Sequence, residues 1–301
     1  MSTDDALRDD EVALPGGPRL ALRRADGPGR PFLLVHGLSS NSRVWDGVAR
    51  RLAAAGHEVV AVDQRGHGRS EEPADGYTTD RCADDLLALT ELLGLVGDRA
   101  PVAVGQSWGG NVVVSLSARH GIVSGVGLVD GGWIALGERY PTFDECWAEL
   151  APPVFPPQPV AELAQRFRAW HPDWPQEGID GTLGNFRVAA DGTARPALSR
   201  DHHREILHSL WADDVTQQLP RVTVPALVAP AVGEAAHGPD GPDGSGDTDP
   251  RRRGPERATS LLPDAVVSWY VGADHDLHAQ HPGRLADDLV ALAARVEAGR
   301  R

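Results

Sequence analysis

Ser107 sits in Val104-Gly105-Gln106-Ser107-Trp108-Gly109-Gly110, with a glycine two residues to either side. The apolar run Pro101-Val102-Ala103-Val104 before it suits a buried strand. Asn111–Leu116 after it reads as a short helix ending near His120-Gly121. A G-x-S-x-G between strand and helix is a nucleophile elbow. The turn is so tight that side chains at the glycine positions would strike the backbone. It forces the serine into a strained conformation that lifts its hydroxyl off the sheet edge.

A serine hydroxyl attacks only when a base takes its proton, and the base needs a third group to orient it. The best base is His275, in Gly272-Ala273-Asp274-His275 just past the last apolar strand. Such a loop lies at the carboxyl edge of the sheet, where open α/β sheets place their sites. His278 and His281 are rivals. No G-x-G-x-x-G and no P-loop lysine is present, which argues against dinucleotide and nucleotide binding.

The elements that must carry these groups alternate. Short strands are expected at Glu11–Leu14 and Arg19–Arg23, then Phe32–Val35, His57–Val62, Val102–Val104, Val123–Val129, Ala226–Ala229 and Val266–Val271. Helices are expected over Ser42–Ala55, from a Thr79 or Asp80 cap to Leu93, after the elbow, near Glu256–Leu262 and over Gly283–Ala298. Alternation of this kind predicts an α/β fold with a mostly parallel central sheet flanked by helices.

The alternation breaks from Trp133 to Gln218. That segment is proline-rich, predicts helices near Thr142–Leu150, Val160–Trp170 and Asp201–Trp211, and holds ten of the sixteen aromatic residues. It divides the chain into a core of 1–132 and 219–301 and an insertion of 133–218. Residues 1–10 read as a solvated tail. Residues 233–254, rich in Gly, Pro and Asp, read as a mobile loop.

At 301 residues with a net charge of −14 and a pI near 5.2, the chain is a poor fit to nucleic acid or an anionic membrane. No apolar run reaches the length of a membrane span, and the acidic N-terminus is not a signal peptide. Cys82 and Cys146 lack metal-site spacing and are expected as free thiols. The expected location is the cytoplasm. The expected partner is a small molecule, with no metal or organic cofactor; the oligomeric state is not legible.

Taken in order, His36-Gly37, Asp63-x-Arg65-Gly66-His67-Gly68-x-Ser70, Gly105-x-Ser107-x-Gly109 and Gly272-x-x-His275 resemble an α/β-hydrolase. The resemblance covers about 31–130 and 224 to the C-terminus, and makes 133–218 a helical lid. It implies an oxyanion hole from the backbone N–H groups of Leu38 and Trp108. His36 and the Arg65–Gly68 turn are then structural. Most relatives keep an acid just past the strand matching Ala226–Ala229, where this chain has Glu234, followed by Asp240, Asp243, Asp247 and Asp249 in a loop that would orient a histidine poorly. A minority, including haloalkane dehalogenases, resemble a chain with the acid at Asp130, after the strand that follows the elbow. Both acids stay open. A serine nucleophile disfavours epoxide-hydrolase and dehalogenase chemistry.

The resulting expectation is a serine hydrolase of an ester, thioester or lactone of a small to medium apolar substrate. Trp133, Phe143, Trp147, Phe167, Trp170 and Trp211 are the pocket candidates. The alternatives are a carbon–carbon bond hydrolase or acyltransferase with the same residues, or a ligand-binding protein on this fold whose acid has decayed.

Overall fold

The computed structural model describes residues 7–233 and 250–299. Eight strands form the central sheet: β1 (Arg8–Ala13), β2 (Arg19–Ala25), β3 (Gly29–Val35), β4 (His57–Val62), β5 (Val102–Gln106), β6 (Gly125–Val129), β7 (Ala226–Ala229) and β8 (Ala265–Val267). Their order is β1-β2-β4-β3-β5-β6-β7-β8. The pairs β1/β2 and β2/β4 are antiparallel and the rest are parallel. The mixed, mostly parallel sheet expected from alternation is therefore present.

Side chains alternate across it. Leu33 and Val35 join one buried cluster with α2 (Thr79–Leu92) and α3 (Trp108–His120). Phe32 and Leu34 join the other with α1 (Asp46–Ala54). In a parallel sheet covered on both faces, successive apolar residues serve opposite layers, so the strands read as unbroken apolar runs.

Several local expectations change. Arg8–Asp10 belong to β1 and not to a tail; Arg8 and Arg24 pair there, with ion pairs to Asp26 and Asp10. Thr78, not Thr79 or Asp80, caps α2 by accepting from Arg81 N at 3.2 Å. Pro250–Gly254, expected as loop, begin α9 (Pro250–Leu261); residues 234–249, with Glu234, lie outside the described residues. The single strand expected over Val266–Val271 is two pieces, because Tyr270–Val271 pairs with Ala231–Val232 in a separate two-stranded sheet. The chain closes with α10 (Leu277–Gln280) and α11 (Pro282–Ala298).

Between β6 and β7 lies the helical insertion: α4 (Leu136–Arg139), α5 (Phe143–Leu150), α6 (Val160–Trp170), α7 (Gln176–Leu183) and α8 (Arg200–Ala212). A small antiparallel sheet of Gln158–Pro159, Thr193–Pro196 and Phe186–Val188, not expected from sequence, ties it together. In α7, a Cβ on Gly178 would come 2.9 Å from the Ala279 carbonyl oxygen, and one on Gly181 2.6 Å from that of Arg43. The two glycines let this helix lie directly on the core backbone.

Candidate active site

Ser107 ends β5 and caps α3, with φ 53° and ψ −127°. A Cβ on Gly105 would come 2.1 Å from the Gly109 carbonyl oxygen, and one on Gly109 2.5 Å from that of His36. A side chain at the first position would push the turn apart, and one at the second would drive it off the end of β3. Ser107 N–H donates to Val129 O at 3.0 Å, which fixes the elbow to the end of β6.

Asp130 follows Val129 directly, also at positive φ (41°). Its Oδ1 accepts from Ala231 N–H at 3.0 Å, and its Oδ2 accepts from His275 Nδ1–H at 2.6 Å. That bond fixes the tautomer and leaves Nε2 of His275 as the acceptor. Gln106, the residue before Ser107, donates to the His275 carbonyl at 3.2 Å. Serine, aspartate and histidine thus hang from three neighbouring chain segments. Among the described residues no hydrogen bond joins the Ser107 hydroxyl to His275. Such bonds are often long without substrate and tighten in the reacting complex.

The His275 side chain is 55% exposed, but desolvation by the protein around it still works against protonation. The hydrogen bond to Asp130 and the charges of Asp276 and Asp130 outweigh it, so the pKa lies above the ordinary value. The rivals are placed differently. His278 is fully buried against Trp45 (ring centroids 4.5 Å), and burial drives its pKa down to about 4. His281 stands beside Tyr270.

The amides of Leu38 and Trp108 have no hydrogen-bond partner among the described residues. Trp108 N–H opens α3, where the first amides of a helix are unpaired. His36 is buried and holds its own turn: Nδ1–H donates to Gly37 O (2.7 Å) and Nε2 accepts from Gln64 N–H (3.1 Å). Burial lowers its pKa to about 4. Arg65 makes a buried two-point ion pair with Asp85 at 2.7 and 2.8 Å.

A cavity of about 770 Å³ is lined mostly by residues of the insertion. Its wall is mostly apolar and includes Phe155, Phe167, Trp170, Trp174 and Phe186. It also includes Ser39, next to Leu38, and Asp276, next to His275, while Ser107 itself is not part of the wall. Of the six aromatic pocket candidates, Phe167 and Trp170 line it. Phe143, Trp147 and Trp211 instead pack on Tyr140, Cys146 and Leu207 in a satellite core, and Trp133 packs on the main core. Sequence reasoning missed Gln106. It also missed Asp274, whose Oδ2 accepts from Trp174 Nε1 at 2.8 Å and so ties the insertion to the histidine loop. Nothing in the one-dimensional pattern marks either residue.

A strained serine at a strand–helix elbow, on an eight-stranded mostly parallel sheet with a helical insertion after β6, defines the α/β-hydrolase class. The chain belongs to the alpha/beta hydrolase fold family, whose profile matches residues 30–206. It is 30% identical over 277 residues to a non-heme chloroperoxidase of Streptomyces lividans, covering 88% of this chain and 91% of that one. A bifunctional esterase/perhydrolase of Acinetobacter calcoaceticus is 42% identical over 85 residues, 28% of this chain and 30% of that one. Among solved structures, an E-2-(acetamidomethylene)succinate hydrolase has the same fold, with a TM-score of 0.75 at 24% identity over 95% of this chain and 98% of that one. Among the described residues no helix is long and apolar enough to cross a membrane.

Proposed function

We propose that this protein is a serine hydrolase that cleaves an ester, thioester or lactone of a small to medium apolar substrate. The observation that carries the reading is the 2.6 Å bond from His275 to Asp130, on the residue that follows the backbone anchor of Ser107. Ser107 Oγ attacks the substrate carbonyl as Nε2 of His275 takes its proton. Asp130 holds the imidazole in the required tautomer and stabilises the imidazolium. The N–H groups of Leu38 and Trp108 receive the oxyanion, and losing one such donor typically costs about 10²–10³ in rate. His275 then protonates the departing alcohol or thiol. Water, deprotonated by the same histidine, releases the acid from Ser107. The insertion, residues 133–218, acts as a lid, and its aromatic cavity takes the apolar part of the substrate.

A fluorophosphonate probe tests the class. Wild type takes the label at Ser107 and Ser107→Ala does not. An unlabelled wild type at neutral pH would instead support a ligand-binding protein on this fold. A panel of p-nitrophenyl esters of rising chain length, with a lactone and a thioester, then narrows the substrate.

A second reading keeps the acyl-enzyme and changes the acceptor. The Acinetobacter relative is named an esterase/perhydrolase. With hydrogen peroxide in place of water, the acyl group leaves Ser107 as a peracid. Peracid release from an ester plus peroxide is the measurement; its absence leaves water as the acceptor.

A further inference from the structure

Three non-glycine residues among those described have positive φ: Ser107 (53°), Asp130 (41°) and Ser39 (60°). Backbone strain of this kind collects at functional sites and persists only where the surroundings enforce it. The first two belong to the machinery proposed above. Ser39 does not, yet it follows Leu38, whose amide that reading places in the oxyanion hole. The turn there is closed by Ser40 N–H donating to Gly37 O at 3.2 Å. Its third residue, Ser39, takes the positive φ that turns of this kind usually give to glycine. Glycine would adopt that conformation without strain. A serine there is explained if its hydroxyl is used.

Both polar groups of Ser39 are engaged. Its N–H donates to Nε2 of the buried core histidine His67 at 3.2 Å. Its Oγ shares a 2.8 Å hydrogen bond with Nδ1 of His203, which is buried on α8 in the insertion. Ser39 and His203 also form part of the wall of the large cavity. The turn that aims Leu38 N–H is thus held from the core on one side and from the lid on the other.

We propose that Ser39 and His203 are positioning residues. The lid, through His203 Nδ1, holds the strained turn that points the Leu38 amide at the oxyanion. The inference rests on the serine-hydrolase reading. A loosened lid would then cost turnover without deleting either oxyanion donor.

The test compares Ser39→Gly, His203→Leu, their double variant and His203→Asn with wild type. Each is measured for ester turnover and for the rate of fluorophosphonate labelling. Ser39→Gly removes strain as well as the hydroxyl, so it separates folding from function. The expected result is a fall in kcat of about tenfold or more in Ser39→Gly and His203→Leu, with KM within about twofold. Part of the disrupted donor's 10²–10³ is lost because the amide is displaced and not deleted. The double variant falls no further than either single one, as a shared interaction requires. His203→Asn, whose amide reaches the place of Nδ1, recovers most of the rate. Wild-type kcat in Ser39→Gly, or losses that multiply in the double variant, would overturn the inference while leaving the hydrolase intact. A wild type that neither labels nor turns over any ester would overturn the underlying reading itself.

Discussion

His275 Nδ1 and Asp130 Oδ2 lie 2.6 Å apart across 145 residues of sequence, with Asp130 on the strand next to the one that carries Ser107. Asp130 reaches the histidine from just past the carboxyl end of an interior strand. If this bond orients the base, Asp130→Asn will lower kcat by about 10⁴, the loss expected from presenting the wrong tautomer. Glu234→Gln will leave kcat unchanged. The reverse result on the same ester would give the role to Glu234.

The pH profile follows from the charges around His275. A base must be neutral to act, so kcat/KM will rise with pH through a midpoint above the ordinary histidine value of 6.5. Asp276→Asn removes one of the charges that raise it and will move the midpoint down while the maximal rate stays close to wild type. The linkage has the same origin. A raised folded pKa adds stability that is fully present below the unfolded value and is lost as pH climbs through the folded one. A profile whose midpoint ignores Asp276→Asn would contradict this account.

Four other histidines act in the opposite direction. Burial lowers His36 to about 4, His67 to about 3, and both His203 and His278 to about 4. The unfolded chain takes up protons near pH 6.5 that the folded chain refuses. Stability will therefore fall as pH drops from about 6.5 toward 4, by up to about 1.4 kcal/mol per pH unit for each group. Urea midpoints at several pH values across this window measure it. A flat series would mean that these rings are not held neutral.

Cavity and satellite core give contrasting aromatic variants. Phe167→Ala will raise KM for long-chain p-nitrophenyl esters and leave the acetate unaffected. Trp211→Ala will lower the unfolding midpoint, since its ring packs with Phe143 and its Nε1 donates to Tyr140 O at 2.8 Å. It will change KM little for either ester. Equal effects of Phe167→Ala on short and long esters would remove the cavity from the substrate path.

Most of the sheet was legible because each parallel strand is an apolar run bounded by turn residues. The elbow was legible because its glycines are required by contacts with neighbouring backbone. The insertion was only partly so. Its helices show in the aromatic spacing, but Pro159 and Pro196 argue against the strands they occupy, and Gly178 and Gly181 hide α7. Those glycines answer to close approach by the core, which no local pattern records. The acid stayed divided between Asp130 and Glu234 for a related reason. Which carboxylate meets the imidazole depends on where strands remote in sequence end; Asp130 bonds it, and Glu234 lies outside the described residues.

Because Ser107 and Asp130 leave adjacent parallel strands that are pinned to each other, two of the three proposed catalytic groups arrive as one prefabricated unit, and misalignment can enter only through the histidine's own loop.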